Sequence, residues 1–387
     1  MVSEFKKTCL YCGCEGFSNG ELSHQSPTDI LVTQLKAEGI KKVESLVFEA
    51  FLKLKFRKIL KTSTDTTISY GWFCAFNRFG SPCYWFKLQE HEDDWNLADD
   101  KFCALLEGQK IGQYNSDAMT LHKIKFDPQT NKFTINHLRN KTWLPDQDIE
   151  PYLRKLSKKR DERNIVEYDN TAEKHELDRY HLATEELLSP NLRPELSTIS
   201  IQRRLINCII SPILGCQPAD LDALVLSPNG KLSYLEFKRK YPAPGDQYFG
   251  LDEAPHATLL RTFNSFNIGM LHLILATPYR DKDSSPIKTL KESNKDPKKA
   301  SKWVWLCAVL NSQNFSIPTM KTTGKNSGFL KTKRKQHIIP WELFHLLHDN
   351  LKLGGAGEKA LLSFLEHGMP SVVTPVRYKD LNERVIS

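Results

Sequence analysis

Between Ile30 and Leu60 the apolar residues Leu31, Leu35, Val43, Leu46, Val47, Phe51 and Leu54 recur at mixed three- and four-residue spacings, which predicts helix broken near Gly39. From Thr66 to Leu88 aromatic and β-branched residues take over. Short alternating runs follow at His122 to Phe126 and Lys132 to Ile135, with an Asp127-Pro128 turn between them. The pattern is helix, then antiparallel strands. The stretch from Pro151 to His181 is highly charged, contains Lys158-Lys159-Arg160-Asp161-Glu162-Arg163, and has too few apolar positions to supply a core.

Beyond it the spacing changes. After Ser200, the residues Ile201, Leu205, Ile206, Ile209 and Ile210 form a helical stripe that Pro212 is expected to stop. Asp222 to Leu226 and Lys231 to Lys238 read as strands joined by the turn Ser227-Pro228-Asn229-Gly230. Ala257 to Ile268 sets Leu259, Leu260, Phe263 and Phe266 on one helical face, and Met270 to Ala276 reads as a short buried strand ended by Pro278. A strand at Trp303 to Leu310 and helices at Trp341 to Leu353 and Glu358 to His367 complete the pattern. Composition thus divides the chain into an N-terminal α+β lobe at 1–160, expected to recognise a target or partner, a charged helical connector at 161–196, and a second lobe at 197–387.

A chain of 387 residues, 40% apolar and 26% charged, can bury one or two cores and is not a disordered tail. The longest apolar runs, Leu271 to Ala276 and Trp303 to Leu310, are too short to span a bilayer, so no membrane partner is expected. Met1 to Lys7 is charged with no apolar stretch behind it, which predicts no secretory signal and a cytoplasmic location. Nine scattered cysteines, an odd number, predict reduced thiols. Lys plus Arg 54 against Asp plus Glu 46 gives +8, which favours polyanions without identifying one. The basic clusters at 41–42, 53–61, 154–160, 298–299 and 331–335 read individually as solvated faces.

The chemistry lies in the hairpin. Alternate strand residues share a face, so Glu236 and Lys238 project together, as do Asp220 and Asp222. A turn that sets Asp222 opposite Glu236 brings their Cβ atoms to about 4.5–5.5 Å. Carboxylates that close repel, and burial raises their pKa, so the pair calls for a cation between them. Hard oxygen ligands suit magnesium or manganese. Lys238 beside such an ion can stabilise a phosphate oxyanion or hold the attacking water deprotonated. Leu235 and Phe237 point to the other face and anchor the strand. The arrangement predicts phosphodiester hydrolysis.

Pro218-Ala219-Asp220-Leu221-Asp222-Ala223-Leu224-Val225-Leu226, the turn, and Leu235-Glu236-Phe237-Lys238 resemble the PD-(D/E)xK motif of the restriction-endonuclease-like superfamily. Ala257 to Ala276 follow in the order of that family's core, so the resemblance covers roughly residues 198 to 280. It implies an α/β fold, a restriction-endonuclease-like mixed β-sheet core flanked by helices, with the N-terminal α+β lobe outside it. It further implies Asp222 and Glu236 as metal ligands with the Phe237 carbonyl as a third, Lys238 as the catalytic lysine, and Mg2+ as the ion, with Mn2+ able to substitute. DNA is the implied substrate, cut to a 5′-phosphate and a 3′-hydroxyl; double-strand cutting usually calls for two sites, which a homodimer could supply.

Asp220 is the alternative aspartate; Asp222 is preferred because it abuts the apolar run. The glutamate that many members carry on the first helix is unassigned, the nearest residues being Gln202 and Glu195, and the family's first strand is not readable at 211–217. A restriction or defence endonuclease is the expected setting. The alternatives are a structure-specific repair or recombination nuclease and a non-catalytic nucleic-acid-binding module on the same fold.

Secondary candidates carry two readings each. Gln247, His256 and Arg261 could contact a DNA backbone, or cap and solvate the next helix. Arg203 and Arg204 read as surface. Cys9, Cys12 and Cys14, with His24 further on, are either half of a Zn2+ site, completed by Cys74, Cys83 or Cys103 only through tertiary proximity, or unliganded thiols. Trp72, Phe73, Phe76, Phe79, Tyr84, Trp85 and Phe86, near Arg78 and Lys87, could stack on nucleobases, but sheet core is the commoner use.

Overall fold

Helix α1 (Ile40–Leu60) opens the part of the chain described by the structure, a computed structural model. The described residues are 40–60, 65–76, 82–89, 94–107, 119–130, 132–157, 192–216, 218–240, 248–277, 285–311, 313–314, 319–322 and 334–375. They are mixed α/β throughout. The chain divides into two units, Met1–Phe51 with Ser69–Asp220, and Leu52–Ile68 with Leu221–Ser387. This division differs from the one composition suggests. The helix expected to begin the second lobe instead packs Ile201, Leu205, Ile206, Ile209 and Ile210 into the first unit's core, against Phe73, Phe86, Ile124 and Ile135. Among the described residues, no helix is long and apolar enough to cross a membrane.

The first unit is built on strands β2 (Trp72–Phe76), β3 (Pro82–Gln89), β4 (Thr120–Asp127), β5 (Lys132–Arg139), β6 (Thr142–Trp143) and β8 (Ala219–Asp220), in the order β6-β5-β4-β3-β2-β8, with β7 (Gln147–Asp148) also on β5. β4 and β5 pair antiparallel across the predicted turn, whereas β3 and β4 are parallel. Helix α2 (Leu97–Leu106), which begins at a capping box of Asn96 and Asp99, covers one face and sets Phe102 edge-on to Trp72 and Trp85. Helices α3 (Ile149–Leu156) and α4 (Arg193–Arg204) cover the other. Trp72, Phe73, Trp85 and Phe86 are wholly buried, so the aromatic cluster is sheet core; Arg78 and Phe79 lie outside the described residues.

Three expectations are corrected in this unit. Pro212 does not stop the helix. The chain runs from α4 through a π turn (Leu205–Ile210) into α5 (Ser211–Leu214), and Pro212 falls in the first turn of α5, where proline is tolerated; the end comes at left-handed Gly215. Arg204 is not on the surface but 1% exposed, and Arg203 reaches Glu49 at 3.2 Å. Lys87 is not available to nucleobases: it is buried, donates to Ser69 Oγ (2.9 Å) and the Tyr70 carbonyl (2.5 Å), and lies 3.5 Å from Asp99.

The second unit is a mixed sheet of β1 (Thr67–Ser69), β9 (Ala223–Leu226), β10 (Leu232–Lys240), β12 (Gly269–Ala276), β13 (Val304–Leu310), β16 (His345–His348) and β17 (Thr374–Pro375), in that spatial order. β10 runs antiparallel to β9 and parallel to β12; β13 pairs antiparallel with β12, β16 with β13, and β17 with β16. Helix α6 (Thr258–Asn264) is the crossover between β10 and β12 and buries Leu259, Leu260 and Phe263 as its spacing predicts. Helices α7 (Pro286–Lys295), α8 (Pro297–Ala300) and α9 (Gly354–His367) follow, with a second sheet ordered β11 (Tyr248–Asp252), β15 (Arg334–Pro340), β14 (Thr319–Thr322). The helix expected over Trp341 to Leu353 is instead a 3-10 turn (Trp341–Leu343) and strand β16, because β13 offers an edge that His345 and Leu346 complete.

Candidate active site

The hairpin between β9 and β10 is closed by its own side chains. Asn229 Oδ1 accepts from Ser227 Oγ (2.5 Å) and from the Lys231 N–H (3.1 Å), and Gly230 supplies the positive φ of 76°. The register that results is Leu232 opposite Leu226 through Leu235 opposite Ala223. One step further along, Glu236 comes level with Asp222, the pairing expected from the sequence. Here the backbone ladder gives way to a side chain: Asp222 Oδ2 accepts the Phe237 N–H at 2.6 Å. In an extended strand the N–H and C=O of one residue face the same edge, so the Phe237 carbonyl points to the β9 edge of β10, as its N–H does.

Glu236 is 1% exposed. Its Oε1 lies 2.5 Å from Lys238 Nζ and 3.4 Å from His256 Nδ1, and the Tyr234 hydroxyl donates to Oε2 at 3.4 Å. Burial alone would push the carboxyl up, but the adjoining His256 and Lys238 outweigh it and hold the group below the usual carboxylate range. The neutralising charge beside Glu236 is therefore the Lys238 ammonium, not only the cation expected between the two acids. Lys238 keeps about a third of its side chain in solvent, 34%, so the cluster runs from a buried acid to a reachable ammonium.

Two neighbours were not anticipated. His272, the parallel partner of Glu236 on β12, is fully buried; its Nδ1 lies 3.2 Å from the Glu236 carbonyl, and its Nε2 has no partner among the described residues. Burial, with Lys240 nearby, lowers it to about 3, so the ring is neutral, donates from Nδ1 and presents a lone pair at Nε2. The only hint in the sequence was one polar residue inside the apolar run Gly269–Ala276. Lys240 extends the Glu236, Lys238 parity and donates to the Gly250 carbonyl on β11. Burial, then repulsion from Lys238, brings its ammonium down to about 8.

The Lys240 shift has a testable sign. Its folded-state value lies below the unfolded one, so the charged form opposes folding at pH below about 8, and the opposition lifts as pH rises from there toward the ordinary lysine value of 10.5. Stability therefore rises across that window. Urea melts of the wild type and Lys240→Met at pH 7.5 and 9.5 are expected to show a wild-type gain, relative to the variant, of about 1 kcal/mol or more. A parallel response in both proteins would refute the assignment.

The other candidates fall as follows. His256, on the π turn (Glu253–Ala257) before α6, sits against Glu236 rather than on a solvated helix face. Arg261 forks onto Glu253, at 2.7 Å from Nη1 and 3.2 Å from Nη2, so its charge is answered within the protein. Asp220 belongs to the first unit, on β8 opposite Phe73, and Glu195 and Gln202 are buried on α4 of that unit. Gln247, Cys9, Cys12, Cys14 and His24 lie outside the described residues. Cys74, Cys83 and Cys103 are buried thiols, and burial pushes Cys103 up to about 12, far from a metal-ready thiolate.

Among the described residues, no group of three or more His, Cys, Asp and Glu is arranged to hold a metal ion. The hairpin offers a smaller set of hard oxygens: the Asp222 and Glu236 carboxylates and the Phe237 carbonyl edge. Such a set fits an ion that binds through one or two carboxylates and keeps several waters, the habit of magnesium. Comparison with known proteins finds no matching family model, no matching curated protein and no matching solved structure.

Proposed function

We propose that the second unit is a divalent-metal-dependent phosphodiesterase acting on DNA, built on a restriction-endonuclease-like core. The observation that carries the reading is that Asp222, immediately before β9, accepts the Phe237 N–H while the flanking Glu236 and Lys238 pair on one face of β10. The crossover through α6 to the parallel strand β12 supports the family's later half. The preceding helix and the short β8 belong to the first unit, a departure from the family order.

Asp222, Glu236 and the Phe237 carbonyl would hold the ion. When bound, it supplies Lewis acidity at a phosphoryl oxygen and eases deprotonation of water. Glu236 remains ionised despite its burial and is thus ready to ligate. Lys238, released from Glu236, is the group that can meet the scissile phosphate or the nucleophile, since it is the cation of the trio and keeps about a third of its side chain in solvent, 34%. His272 braces the Glu236 backbone from β12.

The 2.5 Å Glu236–Lys238 contact also favours a second reading, a non-cutting nucleic-acid-binding module in which the pair is structural. Incubating the full chain with supercoiled plasmid separates the two. Nicking or linearisation with Mg2+, loss with EDTA, and a drop of about 10²–10³-fold in Lys238→Ala are expected. Cleavage that survives both interventions overturns the mechanism, and tight plasmid binding without cleavage leaves the binding module.

A further inference from the structure

Strands β14 and β15 form a ribbon with an unusual charge register. Thr319 pairs with His337, Met320 with Gln336, Lys321 with Lys335 and Thr322 with Arg334. β11 accompanies β15 only from Pro340 back to Gln336, so the positions of Lys321, Thr322, Arg334 and Lys335 form a two-stranded extension beyond the end of β11. Lys321 and Lys335 thus hold directly opposed positions, an arrangement that is unfavourable for like charges in an antiparallel pair, and Arg334 holds the next position along β15. The sequence itself holds no Asp or Glu between Asp296 and Glu342.

The root of this ribbon is fastened to the turn that borders the active site. Gln336 donates to Asp252 Oδ1 at 2.7 Å, and His337 pairs with Glu253, which also receives the Arg261 fork. Glu253 opens the π turn that carries His256, and His256 lies 3.4 Å from Glu236. Three basic positions are thus placed on a ribbon whose base is tied to the turn that carries His256.

We infer that the β14–β15 ribbon is a phosphate-contacting arm for duplex DNA. The inference rests on the reading of the second unit as acting on DNA. A polyanion is the partner that turns the Lys321–Lys335 opposition from a cost into an attraction. A two-stranded β-ribbon also has the width that the major groove admits, with phosphates along both rims. The arm positions the duplex; it takes no part in the chemistry.

Fluorescence anisotropy of the full chain with a labelled duplex, in EDTA and over a series of salt concentrations, tests the arm. Lys321→Gln/Lys335→Gln is expected to weaken binding and to reduce the slope of log K against log salt by about 2, the loss of two phosphate contacts. Lys352→Gln/Lys359→Gln, which removes the same charge at exposed positions on and beside α9, is expected to leave the slope unchanged. An unchanged slope in the ribbon variant, an equal fall in the control, or a wild type that does not bind duplex overturns the inference. Wild-type binding through the arm without Mg2+-dependent cleavage overturns the hydrolase reading and leaves the arm standing.

Discussion

Glu236→Gln is expected to lose Mg2+-dependent DNA cleavage by about 10³-fold or more while still binding DNA. The estimate follows from several kcal/mol of transition-state stabilisation that a metal-anchoring carboxylate supports, at about 1.36 kcal/mol per factor of ten. The amide keeps the shape of the side chain and the contact with the Tyr234 hydroxyl, but removes the charge that Lys238 and His256 face at 2.5 and 3.4 Å. Lys238, partly in solvent, can turn toward water, so the fold is expected to tolerate the change to within about 1–2 kcal/mol. Single-turnover cleavage, read beside a urea melt and a binding isotherm, separates loss of chemistry from loss of structure. A Gln variant that cuts within tenfold of the wild type would remove Glu236 from the mechanism.

The largest stability effect is expected in the first unit, at Asp99. One carboxylate there serves four groups: Trp72 Nε1 donates at 2.6 Å, the Asn96 N–H at 2.8 Å and Ser69 Oγ also donates, while Lys87 Nζ lies 3.5 Å away. Burial pulls the Lys87 ammonium below its usual range, and Asp99 is the chief influence opposing that shift. Asp99→Ala leaves Lys87 buried without its counter-charge, undoes the capping box of α2 and orphans the Trp72 indole. A loss of about 3–5 kcal/mol is expected from the broken buried pair, read as a fall in the urea midpoint. Lys87→Met/Asp99→Leu should recover a large part of it, since the cost lies in the unpaired charge more than in the missing attraction. A single variant within 1 kcal/mol of the wild type would show that Lys87 finds water or another acceptor.

The hairpin was legible because everything it needs is local. Ser227 to Gly230 set the turn, the turn sets the register, and the register places Asp222 beside Glu236 and Glu236 beside Lys238. Elements that depend on distant partners were not legible. β11 forms from a stretch that reads as the entry to a helix, because its partner β15 lies far along the chain. β16 has the apolar spacing of a helix but completes the edge of β13. His272 joins the site only through the parallel register of β10 and β12, which a crossover helix sets and no local pattern reveals. The Asn96–Asp99 capping box that starts α2 was available as a signal, whereas the second task of Asp99 as acceptor for Trp72 and Ser69 was not.

The interleaving of the two units carries a consequence for biosynthesis. Leu52–Ile68 belongs with the second unit, yet it is made before the larger part of the first, Ser69–Asp220. β1 has its neighbour in β9, which follows the whole of Ser69–Asp220, so at about 5–20 residues per second the ribosome releases it roughly 10–30 s ahead of the strand it waits for. A three-residue strand is a poor template for wrong partners during that delay. A recombinant fragment begun at residue 197 would lack it altogether and leave β9 as a bare margin inviting aggregation.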